Sequence, residues 1–238
     1  MPRSPRRTCW SCEGGRTLPF EGGVSGTANG TLLFAVLLAA AYLFYGQRRQ
    51  SILKVVAKTG SIGLLALLAG IGNGPWLLTL ALVLCAAGDF FLAVEDRNAR
   101  FFTVGLGAFL LGHLAYVALF AALAGTTAIS TPVAAVIGVG IAFVAITMAT
   151  RLWSAAGPLR IPVMVYITAI FAMGLTALAT GIPLLIAGAA SFIASDAVLA
   201  ADRFLMNSQT PLRQFAGPFV WITYFAAQVL ITLGILLA

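Results

Sequence analysis

The sequence predicts an all-α membrane protein of eight transmembrane helices arranged as two parallel four-helix repeats, and three observations predict it. Of the 238 residues, 61% are hydrophobic and 9% charged, and the mean hydropathy of +1.01 lies outside the range of a water-soluble domain. Apolar stretches of about 17–25 residues recur with short polar breaks, the length that crosses a hydrocarbon core of about 30 Å. Strand-like alternation is absent, so each span should satisfy its backbone hydrogen bonds internally, as a helix does.

The stretches run over roughly 28–46, 52–71, 75–94, 101–124, 131–150, 161–179, 181–200 and 214–237. Residues 1–26 form a tail rich in Gly, Arg, Ser and Pro that is expected to be mobile, and residues 27–238 form the transmembrane domain. The tail lacks the short apolar core and small-residue cleavage site of a secretory signal, so the first helix should be retained. Its Cys9-Trp10-Ser11-Cys12 has the spacing of a redox pair or half a zinc site. No second CxxC or His pair completes such a site, so an incidental role is expected. Helix 2 carries Lys58 one to two turns in. Helix 3 starts near Pro75 and carries Cys85, a small packing residue, before Asp89. Helix 4 carries Gly105, Gly107, Gly112, His113 and Tyr116; helix 7 starts near Pro183 and carries Gly188 and Asp196; helix 8 carries Tyr224 and Gln228. The glycines permit close helix approach around a narrow slot.

The formal net charge is +7, with 14 basic residues. Arg3, Arg6, Arg7 and Arg16 lie in the tail. Arg48, Arg49, Lys54, Lys58, Arg97, Arg100, Arg151, Arg160, Arg203 and Arg213 all fall in or beside connections 1–2, 3–4, 5–6 and 7–8. Connections 2–3, 4–5 and 6–7 carry none. The positive-inside rule then places the odd connections in the cytoplasm and both termini outside, in a cell (inner) membrane. That topology accounts for the charge without nucleic-acid binding.

Five of the seven acidic residues lie in or just beyond two look-alike stretches, Ala87-Gly88-Asp89-Phe90-Phe91-Leu92-Ala93 and Ala194-Ser195-Asp196-Ala197-Val198-Leu199-Ala200. An Asp inside an apolar span costs about 2.5–3.5 kcal/mol on insertion scales, so two of them call for a function. Asp89, Leu92, Ala93 and Arg97 have counterparts at Asp196, Leu199, Ala200 and, one residue early, Arg203; Tyr116 is mirrored by Tyr224. The offset of about 107 residues equals four helices, which predicts parallel repeats with both carboxyl groups at one depth. By a rise of about 1.5 Å per residue, each Asp lies roughly 20 Å from the outer face. Lys58 lies at a similar level, with His113, Tyr116, Tyr224 and Gln228 deeper. Together they outline a pocket open to the cytoplasm.

Two buried carboxyl groups beside a lysine admit three readings. A low-dielectric interior favours a neutral carboxyl group and a nearby cation an ionised one, so the pair can act as general acid and general base. The same pair can relay protons or cations in a transporter, or form a structural ion pair with Lys58 or the loop arginines. His113, the one histidine, orients a carboxyl group or water in the first reading and bridges helices in the bland one. One His with two Asp falls short of the usual ligand set of a catalytic zinc, so no metal is expected. Arg203, seven residues after Asp196, shares its helical face and is a candidate phosphate clamp or a plain loop arginine. Glu95, Asp96 and Asp202 read as solvated rim charges. There is no G-x-S-x-G elbow.

Gly88-Asp89, Gly107-Ala108-Phe109 with Leu111, His113, Leu114 and Tyr116, then Ser195-Asp196 and Tyr224-Phe225 with Gln228, resemble the lysoplasmalogenase (YhhN-like) family of eight-helix membrane proteins. Lys58 resembles that family's Lys-Pro, with Thr59 here in place of the Pro. The resemblance spans about residues 30–236. It implies hydrolysis of the vinyl-ether bond of lysoplasmalogens to a fatty aldehyde and a glycerophospho-base, with a lysophospholipid from the bilayer as partner and no cofactor. A vinyl ether hydrolyses after protonation at its β-carbon, through an oxocarbenium ion that water captures, which calls for an acid and a carboxylate as in a glycosidase pair. Asp89 and Asp196 would divide these roles in either order, with His113 or Tyr116 placing water. Lys58, Tyr116, Arg203, Tyr224 and Gln228 would line the substrate site. A single-chain lipid would enter sideways from the leaflet. The reading from another class remains a proton-coupled transporter using the same two Asp residues.

Overall fold

A computed structural model describes residues 19–20, 26–45, 52–98, 100–125, 130–207 and 209–238. The tail's Cys9 and Cys12, its four arginines, Arg48 and Arg49 lie outside the described residues. Eight helices follow in order: α1 (Thr27–Tyr45), α2 (Ile52–Ile71), α3 (Trp76–Ala93), α4 (Arg100–Ala122), α5 (Thr131–Ala155), α6 (Arg160–Thr180), α7 (Pro183–Phe204) and α8 (Arg213–Leu236). All eight are long and apolar enough to cross a membrane. The protein is an all-α, multi-pass membrane protein, and the expected spans agree with the helices to within a few residues. The largest difference is at α5 and α7, which run four to five residues further at their C-terminal ends. Polar residues at these ends, Arg151 and Asp202-Arg203, continue the helix into the rim instead of breaking it.

Prolines set several of the starts. Pro132 and Pro183 occupy the first turns of α5 and α7, where a missing N–H costs no hydrogen bond. Gly181 ends α6 in the left-handed conformation, φ 71°, which a side chain would strain. Every described basic residue lies at one end of the bundle, here called the basic end.

Packing repeats between the halves. In the first, α1 packs on α2, α2 on α3 and α3 on α4; in the second, α5 packs on α6, α6 on α7 and α7 on α8. The halves join by α4 against α6 and by the equivalent pair, α8 against α2. With no water to expel between spans, such contacts hold by close packing and by buried hydrogen bonds. Small residues permit this: a Cβ on Gly188 would sit 2.7 Å from Ile231 Cγ1, and one on Gly88 2.6 Å from the Phe109 ring. Gly105 and Gly112 are packed likewise against Leu92 and Cys85. Gly107 faces open space, so it does not serve the close approach expected of it.

The repeat extends to individual positions. Asp89 and Asp196 each lie thirteen positions after the first residue of α3 and α7, about 20 Å along the axis. Lys58 and Tyr166 each lie six positions after the first residue of α2 and α6. Both carboxyl groups therefore sit at the same depth, toward the basic end.

Candidate active site

Helix direction brings the polar side chains together. Side chains lean toward the N-terminus of their own helix. α3 and α7 start at the end opposite the basic one, so Asp89 and Asp196 lean inward. α2, α4, α6 and α8 start at the basic end, so Lys58, His113, Tyr166 and Tyr224 lean back to meet them.

Asp89 is 1% exposed. Lys58 Nζ stands 3.3 Å from its Oδ1, and the Tyr224 hydroxyl donates to its Oδ2 at 2.7 Å. An unpaired charge at this depth would be costly, and Lys58 neutralises it. The lysine's ammonium also lies 5.9 Å from the centre of the Tyr42 ring.

Asp196 has no lysine or arginine within ion-pair distance among the described residues. The Tyr166 hydroxyl donates to its Oδ2 at 2.6 Å, and His113 Nε2 lies 3.5 Å from the same oxygen. His113 Nδ1 is 2.7 Å from the Phe109 carbonyl, which only accepts, so Nδ1 carries a hydrogen. In a neutral imidazole Nε2 is then an acceptor, and it faces a second acceptor unless one proton resides on the His113–Asp196 pair. Phe192 and Tyr166 hold the imidazole edge-on, at 4.6 and 5.1 Å between ring centres.

Two cavities meet at Asp196. A chamber of about 660 Å³, its open mouth included, has Lys58, Asp89, Tyr42, Trp221, Tyr224, Ser195 and Asp196 in its wall, with Asp202 at its rim. An apolar slot of about 840 Å³, its open mouth included, lies among α4, α5, α6 and α7. Leu92, Phe109, Tyr166, Asp196 and Leu199 line both.

Most of the expected site residues converge, in two shells. Lys58, Asp89, Asp196 and Tyr224 line the chamber. His113 stands behind Asp196, and Tyr116 and Gln228 stand behind the wall altogether, where the Tyr116 hydroxyl donates to Gln228 Oε1 at 2.5 Å. Arg203 lines the slot, lying 3.6 Å from Glu95 Oε1 and over the Phe102 ring at 4.1 Å. Glu95 and Asp202 are thus engaged by arginines at the rim, Asp202 accepting from Arg213 Nε at 3.0 Å. Sequence reasoning missed Tyr166. The repeat offset carried the signal, since Tyr166 falls where the second half would place the counterpart of Lys58. Among the described residues no three His, Cys, Asp or Glu side chains gather to hold a metal ion.

Residues 53–235 match the YhhN family. The chain belongs to the YhhN family. It is 38% identical over 164 residues to a protein named lysoplasmalogenase in Mycobacterium bovis, and likewise to one in Mycobacterium tuberculosis, covering 67% of this chain and 59% of each relative. The matched region thus spans about three-fifths of the length of these curated relatives. No solved structure matches the chain.

Proposed function

We propose that this YhhN-family protein hydrolyses the vinyl-ether bond of lysoplasmalogens, releasing a fatty aldehyde and a glycerophospho-base. The observation that carries the reading is the pairing of two carboxyl groups on one chamber: Asp89 against a lysine, Asp196 against a tyrosine and a histidine. The names of the two relatives support the same activity.

Asp196 is the acid. It lies where chamber and slot join, and the His113–Asp196 pair holds the proton that the facing acceptors require. That proton passes to the β-carbon of the vinyl ether, and the double bond's electrons leave an oxocarbenium ion between the α-carbon and the ether oxygen. Asp89, kept ionised by Lys58, stabilises the cation and takes a proton from the water that attacks the α-carbon, in the manner of a glycosidase carboxylate. The resulting hemiacetal collapses as Asp89 gives its proton to the ether oxygen and the hemiacetal hydroxyl loses its own through water to Asp196, which leaves the aldehyde, the glycerol hydroxyl and both carboxyl groups in their starting states. Tyr166 and Tyr224 fix the two carboxyl groups. The residues supply every proton transfer in this scheme without a metal, and activity is expected to survive EDTA.

The positive-inside distribution supports a cell-membrane location with the chamber open to the cytoplasm and both termini outside. The test is aldehyde release by purified, detergent-solubilised protein from a lysoplasmalogen, beside an ester lysophospholipid and the Asp196→Asn variant. Aldehyde from the vinyl ether alone, lost in the variant, is the expected result. No aldehyde across head groups and pH would overturn the reading.

A further inference from the structure

The two halves differ at one pair of equivalent seams. α1 and α8 meet across a seam whose counterpart, by the repeat, lies between α5 and α4. The α1–α8 seam is shut: Trp221 Nε1 donates to the Ala39 carbonyl at 2.9 Å, and the Trp221 ring packs 4.4 Å from Tyr42. By the offset that equates Tyr116 with Tyr224, the counterpart of Trp221 on α4 is His113. His113 turns inward to Asp196 and bonds to its own helix, so among the described residues no equivalent bond ties α4 to α5. α5 makes its close approaches to α6 and α7, and the apolar slot fills the space left in front of α4.

The slot's shape and lining select its occupant. It runs from Phe204 to Ile193 along α7, eleven helix positions or about 16 Å. Apart from Tyr166 and Asp196 on the inner wall and Arg203 at the rim, its lining is aliphatic or aromatic. A polar or charged ligand would lose its hydration there without replacement. A two-chain lipid would need a second such groove beside the chamber, and the seam that corresponds to one is closed by Trp221.

We propose that the α4–α5 seam is a lateral binding site for one unbranched alkyl chain, which enters from the bilayer and delivers its polar end to Asp196. This rests on the reading of the chamber as an ether-lipid hydrolase site, and adds the seam through which the chain enters and along which it lies. Bulk on the slot face of α5 shortens the chain that fits, while bulk on its outward face leaves it unchanged.

Two measurements test the site. The full chain in phosphatidylcholine nanodiscs is labelled with a saturated-ether lysophospholipid carrying a diazirine on its chain, so that no cleavage is involved. Crosslinks are expected on the α5 face that includes Ile141, Ala145 and Met148 and on Leu106 of α4, displaced by unlabelled lysophospholipid. Labels on α1 and α8, or evenly over the outward faces, would overturn the site. Second, Ala145→Phe is expected to lower aldehyde release from a hexadecenyl substrate about tenfold more than from an octenyl one, while Val139→Phe, on the exposed face, changes neither. Equal loss for both lengths would overturn it. Should Ala145→Phe fail to fold, the labelling of the unsubstituted chain decides alone. An unsubstituted chain that releases no aldehyde yet labels in the slot would refute the hydrolase reading and leave the alkyl site standing.

Discussion

Asp89 and Asp196 occupy equivalent positions in the two halves, yet their surroundings are of opposite kinds. Asp89 has a cation from α2 of its own half and a tyrosine from α8 of the other. Asp196 has a tyrosine from α6 of its own half and a histidine from α4 of the other. The backbone is repeated and the pattern of gripping helices is repeated; the symmetry breaks in residue type between Lys58 and its counterpart Tyr166, and in position on α4 and α8, where His113 is the counterpart of Trp221 and Tyr224 that of Tyr116. A duplicated scaffold thus needs few substitutions to give two equivalent carboxyl groups unlike partners, as the proposed division into a charged and a proton-bearing group requires. The largest expected effect tests this division. Asp89→Asn and Asp196→Asn should each lower aldehyde release by about 10²–10⁴-fold, the range of a general acid or base. Full activity in either variant would show that its half does no chemistry.

The next test concerns the partners. Lys58→Met leaves the Asp89 charge buried without a counter-ion, and breaking a buried pair from one side costs about 3–5 kcal/mol. Thermal unfolding in detergent should show a clear loss of stability. The Lys58→Met/Asp89→Asn double variant should recover much of it, because no charge is left unpaired, while remaining inactive. A Lys58→Met protein as stable as the unsubstituted one would mean that Asp89 does not depend on the ion pair, and the contrast between the halves would fail at its strongest point.

The contrast also explains what the sequence could and could not disclose. Helix number, span and the common depth of the two Asp residues follow from hydropathy and a fixed rise per residue, which are local properties. Lys58 and Asp89 stand out because charge is rare in apolar spans. Tyr166 did not stand out, since a tyrosine in an apolar helix is ordinary and its partner lies 30 residues away on another helix. Tyr116 and Gln228 stood out for their polarity, but they bond to each other behind the chamber: polarity marks a residue that needs a partner and does not say which one. The slot was legible only as a small-residue hint, because it arises where two helices fail to meet, and Gly107 shows how loosely a glycine reports such a place.

Smaller effects should separate the tyrosines. Tyr166→Phe removes the hydroxyl donor from Asp196, whereas Tyr224→Phe leaves Asp89 still held by Lys58. Each lost bond to a carboxylate is worth about 1.5–3 kcal/mol at most. The expected order in initial rate of aldehyde release is therefore unsubstituted, then Tyr224→Phe, then Tyr166→Phe, with about a tenfold step at the last. The reverse order would place the acid on the Asp89 side.

The smallest expected effect probes the closed seam. Trp221→Phe deletes the hydrogen bond to the Ala39 carbonyl and retains an aromatic ring against Tyr42 and Phe225. Ala39 lies within α1, where a carbonyl already accepts from the helix's own ladder, so no acceptor is orphaned. The cost should then be about 0.5–1.5 kcal/mol, the net worth of one hydrogen bond, read as a small fall in unfolding temperature. A much larger loss would mean that the seam carries the join between the halves. In that case the open seam at α4–α5 would have to be balanced by stronger packing elsewhere, and α4 against α6 is the interface where the balance would be sought.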